Sequence, residues 1–370
     1  MEHYLDNAAT TKTCPEAIEA AVEIMSEVYG NPSSTHTKGR EAKKRLDGFR
    51  KDVANALGAR PEEVVFTSCG SESDNWALLS GADAKKRSGK HIISSAVEHD
   101  AVRRTLDLLE KDGYEVTRLQ PDRTGMIPVE AVKEALREDT ILVSLMLVNN
   151  ETGAVNDIHG IAQLIKDSGS SALLHTDAVQ GFLKVPFKAS TLGADMISIS
   201  GHKIHAVKGI GALYIRNGLK LKPFLSGGEQ ESGRRAGTEA MPQIAAFAAA
   251  CRQDPRMEQM AETKRKLISS LTAHIPELVW LDTPAPHILN ISMPGWRSEV
   301  LMNFLEAQNV YVSKSSACKQ GKRSHVLEAI GMKSDVIDGA LRIGISRYTT
   351  DDDISALTEG LYDARKLSHR

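Results

Sequence analysis

The chain has 370 residues, 41% of them hydrophobic, enough to bury a large core, and its length predicts two domains or one domain with a sizeable appendage. Lys and Arg number 46 against 48 Asp and Glu, so no global field draws nucleic acid or an anionic membrane, and the longest apolar runs, such as "ILVSLMLV", are far too short to span a bilayer. The opening "MEHYLDNAATT" carries an acid where an export signal carries bases, and the expectation is a cytoplasmic protein.

The stretch "REAKKRLDGFRKDVANALG" predicts an amphipathic helix closed by Gly58, its interleaved charges forming a solvated face. From Glu63 onward short β-rich runs alternate with helical patterns: "EVVFTS" then "ESDNWALLSGADAKKR", "HIISSA" then "AVRRTLDLLEKDG", and "TILVSLMLV" then "IHGIAQLIKDSG". "ALLHTDAV", "ADMISIS" and "GALYIR" follow. Apolar runs without polar alternation fit strands covered on both faces, and the strand-helix order makes the sheet mostly parallel, with active loops at the strands' carboxyl ends. After the small-residue helix "PQIAAFAAACRQ", Asp254-Pro255 breaks the pattern. The predicted division is a large α/β domain over residues 13–253 and a smaller α/β C-terminal domain over 254–370, with residues 1–12 packing on the latter. The smaller unit would hold "HILNISMPG", "EVLMNFLEAQNVYVSK", the loop "SSACKQGKRSHV", the strand "ALRIGIS" and a final helix from about Asp351.

Common motifs fail. No Walker A sequence and no G-x-S-x-G elbow is present, and "GIGALY" lacks the third glycine of a dinucleotide fingerprint and precedes a strand. His202 and His205 are too close for a helical metal pair, so no metal is expected. Cys14, Cys69, Cys251 and Cys318 form no C-x-x-C pair, which leaves cysteine chemistry to a single thiol.

Three strand ends carry polar residues that a parallel sheet would bring together: Asn150 after "MLV", Asp177 and Gln180 in "LLHTDAVQ", and Ser200, His202 and Lys203 in "ISISGHK". Pyridoxal phosphate needs an amine for its aldehyde, an acid to keep its ring nitrogen protonated, donors for its phosphate and a flat group against its ring. Lys203 offers the amine and Asp177 the acid. "TSCGSESDN" follows a strand and opens a helix, so the amides of Gly70 and Ser71 and the Ser71 hydroxyl could cradle a phosphate. His99, in "SAVEHDAV", could stack.

These motifs, with "YLDNAATT", "GNPSSTH", "VNNETG", "SGHKIHAVKGIGALYIR", "SGGEQESGRRAGTE", "SSACKQGKRSHVL" and "ALRIGISRYTT", resemble the cysteine desulfurases of the NifS/IscS kind, in the class V aminotransferase group of fold-type I pyridoxal phosphate enzymes. The resemblance spans nearly the whole chain. It implies that Lys203 carries the cofactor, Asp177 holds the ring nitrogen, Gln180 and Asn150 bond the ring substituents, and His99 stacks. It assigns the phosphate to Gly70, Ser71, Ser200 and His202, with Thr238 reaching the phosphate of the neighbouring subunit in a homodimer.

Cys318 lies among Lys314, Lys319, Lys322 and Arg323 with no acid between them in sequence, a setting that favours thiolate. By the resemblance Cys318 is the nucleophile that takes sulfur from L-cysteine, leaving a persulfide and releasing alanine, and a sulfur-acceptor protein of iron-sulfur or thiolation chemistry is the expected partner. Arg342 would grip the substrate carboxylate, while Arg347, five residues on, is expected to be structural because strand alternation turns it away. Cys14, Cys69 and Cys251 read as packing thiols. The rival readings are a selenocysteine lyase, an aminotransferase or lyase on the same scaffold that makes no use of Cys318, and a binding scaffold without activity.

Overall fold

Strand and helix alternate through most of the chain, as the apolar runs predict. The computed structural model describes residues 1–315 and 323–368. In chain order they form β1 (His3–Tyr4), α1 (Pro15–Ser26), α2 (Thr37–Leu57), β2 (Val64–Thr67), α3 (Gly70–Lys85), β3 (His91–Ser95), α4 (Asp100–Lys111), β4 (Glu115–Leu119), α5 (Val129–Ala135), β5 (Thr140–Ser144), α6 (Ile158–Asp167), β6 (Leu173–Asp177), α7 (Ala189–Leu192), β7 (Met196–Ser200) and β8 (Gly211–Ile215). The later described elements are α8 (Met241–Cys251), α9 (Met257–His274), β9 (Val279–Trp280), β10 (Ile288–Ser292), α10 (Ser298–Glu306), β11 (Val310–Tyr311), β12 (Ser313–Lys314), α11 (His325–Ala329), α12 (Ser334–Asp338), β13 (Ala340–Gly344) and α13 (Asp351–Ser368).

A seven-stranded sheet runs in the order β2-β8-β7-β6-β5-β3-β4. Its pairings are parallel except at β8, which runs antiparallel to both neighbours. Every residue of β2, β3, β5, β6, β7 and β8 is buried, because helices cover both faces, whereas edge strand β4 is half-exposed. Gly58 closes α2 with φ of +70°, the left-handed turn that frees its N–H to bond the carbonyls of Ala54 and Asn55.

A second sheet, β12-β13-β10-β9, is antiparallel and packs with α9, α10 and α13 around Leu267, Leu301, Leu341 and Leu357. The N-terminal strand joins this part of the molecule: β1 pairs in parallel with β11, and Leu5 lies in the same apolar cluster. Three residues later Ala8 belongs to the core of the large sheet, so residues 5–8 pass from one cluster to the other. Asn7 secures the crossing by donating its Nδ2 to the Gly344 carbonyl at 2.9 Å, and His3 Nδ1 lies 2.8 Å from Asp353 Oδ1 on α13.

The segment between β8 and α8 is braced from below. Buried Glu231 accepts from Arg50 Nη1 and Nη2 at 2.6 Å each and from the Phe66 amide at 2.9 Å, tying that segment to α2 and β2. Among the described residues no helix is long and apolar enough to cross a membrane.

Candidate active site

The carboxyl ends of β3, β5, β6 and β7, the N-terminus of α3, and Arg342 on β13 enclose a cavity of about 540 Å³. Gly70, Ser71, His99, Asn150, Asp177, Gln180, Ser200, His202, Lys203 and Arg342 all line it. Thr238 does not; it is exposed, on a segment held to α3 by Arg235, whose Nε sits 2.9 Å from Glu72 Oε1. Cys318, Lys319 and Lys322 lie outside the described residues.

Lys203 follows β7 at the end of a short 3-10 turn, and its Nζ donates to the carbonyls of Ala8 at 2.6 Å and Ala9 at 2.7 Å. Burial, then the nearby positive charge of Arg342, pushes this amine from an ordinary 10.5 down to about 7, against the attraction of Asp177 and Asp6. Gln180 Nε2 shares the Ala8 carbonyl at 2.8 Å.

Asp177 ends β6, and its Oδ1 accepts from the Val179 amide at 2.9 Å. Burial raises its pKa, while the charges of His99 and Lys203 oppose the rise. Two more buried carboxyls flank it. Asp74, on α3, is pushed well above the carboxylate range by burial and then by Asp177, and its Oδ1 has no hydrogen-bond partner among the described residues. Glu98 accepts from Ser95 Oγ at 2.6 Å and from the Met146 amide at 3.1 Å, and burial raises it to about 8. Both neighbours are thus driven toward the neutral form, which leaves Asp177, closest to the cations, as the group best able to carry the charge.

The phosphate-sized end of the cavity is built at α3. The helix begins at Gly70 behind Cys69, and its first amides have no partners within the helix. A Cβ on Gly70 would come within 2.7 Å of Val179 Cγ2, so only glycine leaves this turn undisturbed. Ser200 Oγ is buried and without a partner among the described residues, a polar group waiting for an acceptor or donor. His202 is held below by Thr10 Oγ1 at 3.2 Å, and burial lowers it to about 4, so its ring is neutral near pH 7. His99 caps α4 through Nδ1, which accepts from the Ala101 amide at 3.1 Å and leaves the exposed ring at the cavity mouth.

Arg342 is 2% exposed, donates to the Asn150 carbonyl at 3.1 Å and to Asp6 Oδ1 at 3.2 Å, and keeps a bare Nε. A guanidinium this buried with donors to spare suits a carboxylate ligand. These features together fit a flat, phosphorylated aldehyde: an amine able to lose its proton at neutral pH, an acid set across from it, and an unsatisfied hydroxyl beside a helix N-terminus.

The structure differs from expectation in three places. Arg347 avoids the cavity, but for a different reason than strand alternation: β13 ends at Gly344, and the side chain lies against Lys184 and His205. Cys69, read as a packing or incidental thiol, stands on the cavity wall beside Gly70. Lys314 and Arg323, taken as free positive charges around Cys318, are paired with Glu299 at 3.2 Å and Asp338 at 2.7 Å. Sequence reasoning also missed Asp74, Glu98, Glu151 and the Ala8 and Ala9 carbonyls. Only "YLDNAATT" carried a local sign of them.

The fold and site define an α/β enzyme class with its cavity at the carboxyl ends of a mostly parallel sheet. The family model "Aminotransferase class-V" matches residues 3–357. A cysteine desulfurase IscS from Methanosarcina thermophila is 39% identical over 96% of this chain and 90% of its own length. A solved NifS-like protein superposes with a TM-score of 0.93 at 33% identity, covering 99% of this chain and all of the other. SspA, solved in complex with cysteine, gives 0.84 at 32% identity over 95% of this chain and all of its own. The chain belongs to the class V aminotransferase family and, within it, to the cysteine desulfurases, a family dependent on pyridoxal phosphate.

Proposed function

We propose that this chain is a pyridoxal 5'-phosphate-dependent cysteine desulfurase that converts L-cysteine to L-alanine and holds the released sulfur as a persulfide on Cys318. The observation that carries it is the Lys203 amine, lowered to about 7 within a cavity that also presents Asp177, Arg342 and the α3 N-terminus. The bound cofactor supplies a protonated ring that stabilises negative charge at the substrate's α-carbon.

Lys203 would tether the cofactor, and its Nζ would accept the substrate's α-proton; a group with a value near 7 suits that task at neutral pH. Asp177 holds the ring N–H, Gln180 and Asn150 bond the ring substituents, and His99 covers one face. Gly70, Ser71, Ser200 and His202 take the phosphate. Arg342 grips the substrate carboxylate and fixes the α-carbon's orientation. The Cys318 thiolate attacks the substrate sulfur: a sulfur-sulfur bond forms, the carbon-sulfur bond breaks, and its electron pair stays on carbon, which takes a proton to become the methyl of alanine.

We place Thr238 in the active site of a second copy. Its exposure outside its own cavity supports this, as does the stripe of Ile18, Val22, Met25 and Tyr29 along and just beyond α1, each at least half exposed. The division into residues 13–253 and 254–370 is supported by the cluster around α9, α10 and α13, although Ala285, Ile288 and Val326 join the large core, and residues 1–12 straddle both units where packing on the smaller one was expected. The persulfide's recipient is a sulfur-acceptor protein.

Purified holoenzyme incubated with L-cysteine should release alanine and add one sulfur atom to the Cys318 peptide, read by mass. Cys318→Ala should keep its cofactor absorption and lose sulfide release. Full turnover by that variant would favour an aminotransferase, and a much faster rate on selenocysteine would favour a selenocysteine lyase.

A further inference from the structure

Glu151 follows the Asn150 of the cavity wall, is 5% exposed, and has no part in the chemistry above. Its surroundings are polar and closed. Its Oε2 accepts from Ser324 Oγ, the hydroxyl that caps α11 by accepting from the Leu327 amide at 3.1 Å. Its carbonyl accepts from Asn290 Nδ2 at 3.1 Å, and the same amide donates to Ser315 Oγ at 2.7 Å. Ser315, Ser324 and Asn290 are 3%, 3% and 1% exposed.

Ser315 and Ser324 are described residues on either side of the stretch that contains Cys318. They sit on different elements: Ser324 is held by the Glu151 carboxyl, whereas Ser315 is joined through Asn290 to the Glu151 main-chain carbonyl, which substitution at 151 leaves in place. Asn290 and Ser313 are also the strand partners of Arg342, so the same cluster abuts the substrate's carboxylate grip. Four buried polar side chains cost desolvation that hydrogen bonds only partly return, and a capped short helix requires just one of them. The surplus is spent on location.

We propose that Glu151 is a positioning residue whose carboxyl pins the Ser324 flank of the Cys318-bearing stretch to the cavity wall, so that sulfur capture depends on it while cofactor loading and cysteine binding do not. This rests on the reading of Cys318 as the sulfur acceptor.

The test uses cofactor-loaded full-length protein and the variants Glu151→Ala, Glu151→Gln, Ser324→Ala and the Glu151→Ala/Ser324→Ala double variant. Hydrogen exchange without substrate is read for peptides covering 308–315 and 323–330. Losing this buried hydrogen bond is expected to speed exchange in 323–330 about tenfold in either single alanine variant, with no further gain in the double. Glu151→Gln, which keeps an acceptor, should retain most of the protection and guards against misfolding of the alanine variant. With L-cysteine, the concentration that half-saturates the cofactor's spectral change should stay within about twofold, while persulfide formation falls about tenfold in Glu151→Ala. Unchanged exchange in Glu151→Ala overturns the inference whatever the activity. So does a half-saturation that shifts as far as turnover, because Glu151 would then act through Arg342. If the parent enzyme forms no persulfide, the desulfurase reading fails while the exchange result still judges the tether.

Discussion

An amine that titrates near 7 should betray itself in how fast the apo-enzyme captures its cofactor. At pH 7.5 an ordinary lysine is about one part in a thousand neutral, whereas Lys203, with its value of about 7, is about three quarters neutral. Between pH 6 and 7.5 its neutral fraction grows about eightfold and then levels off; an unperturbed amine would grow about thirtyfold and keep climbing. The assay is stopped-flow absorbance of cofactor capture by apo-protein, divided by capture on a free α-blocked lysine at each pH so that the cofactor's own protonations cancel, with borohydride trapping at position 203 as the structural check. The neighbours give the sign. Arg342→Gln removes a charge that lowers Lys203, so the inflection should move up, and Asp177→Asn removes one that raises it, so the inflection should move down. The unfolded amine keeps its proton up to about 10.5, so the apo-protein should also gain stability with rising pH between about 7 and that value. A normalised rate still rising at pH 10, or an inflection that ignores both variants, would refute the reasoning.

Gly70→Ala forces a Cβ to 2.7 Å from Val179 Cγ2 and should weaken cofactor retention about tenfold, by overpacking of about 1–3 kcal/mol; Gly70→Ala/Val179→Ala should recover most of it, as measured by dialysis against the cofactor band. Glu231→Ala leaves Arg50 and the Phe66 amide without their acceptor and should cost about 3 kcal/mol in urea unfolding, whereas a loss under about 1 kcal/mol would mean that water replaces the pair.

The sheet was legible because its buried strands leave continuous apolar runs, and the helices between them end on residues such as Gly58 that can do little else. Edge strand β4 was not, since "EVTRL" is half solvated and reads like a loop. Lys203 and Asp177 could be found because each stands directly at or after a strand end, where topology alone brings them together. Glu98, Asp74 and Glu151 look like ordinary surface acids in sequence. What buries them are contacts such as Glu98 to Met146 and Glu151 to Ser324, which no local pattern encodes. Lys314 and Arg323 show the converse error: charges with no acid nearby in sequence found partners in space.

Residues 3–7 are made long before the residues that hold them. Asn7 waits for Gly344, and His3 for Asp353, so the turn that presents the Ala8 and Ala9 carbonyls to Lys203 is secured only after those residues have been translated. Stable vitamin uptake therefore follows synthesis of residue 344, and a product cut short before it should remain colourless.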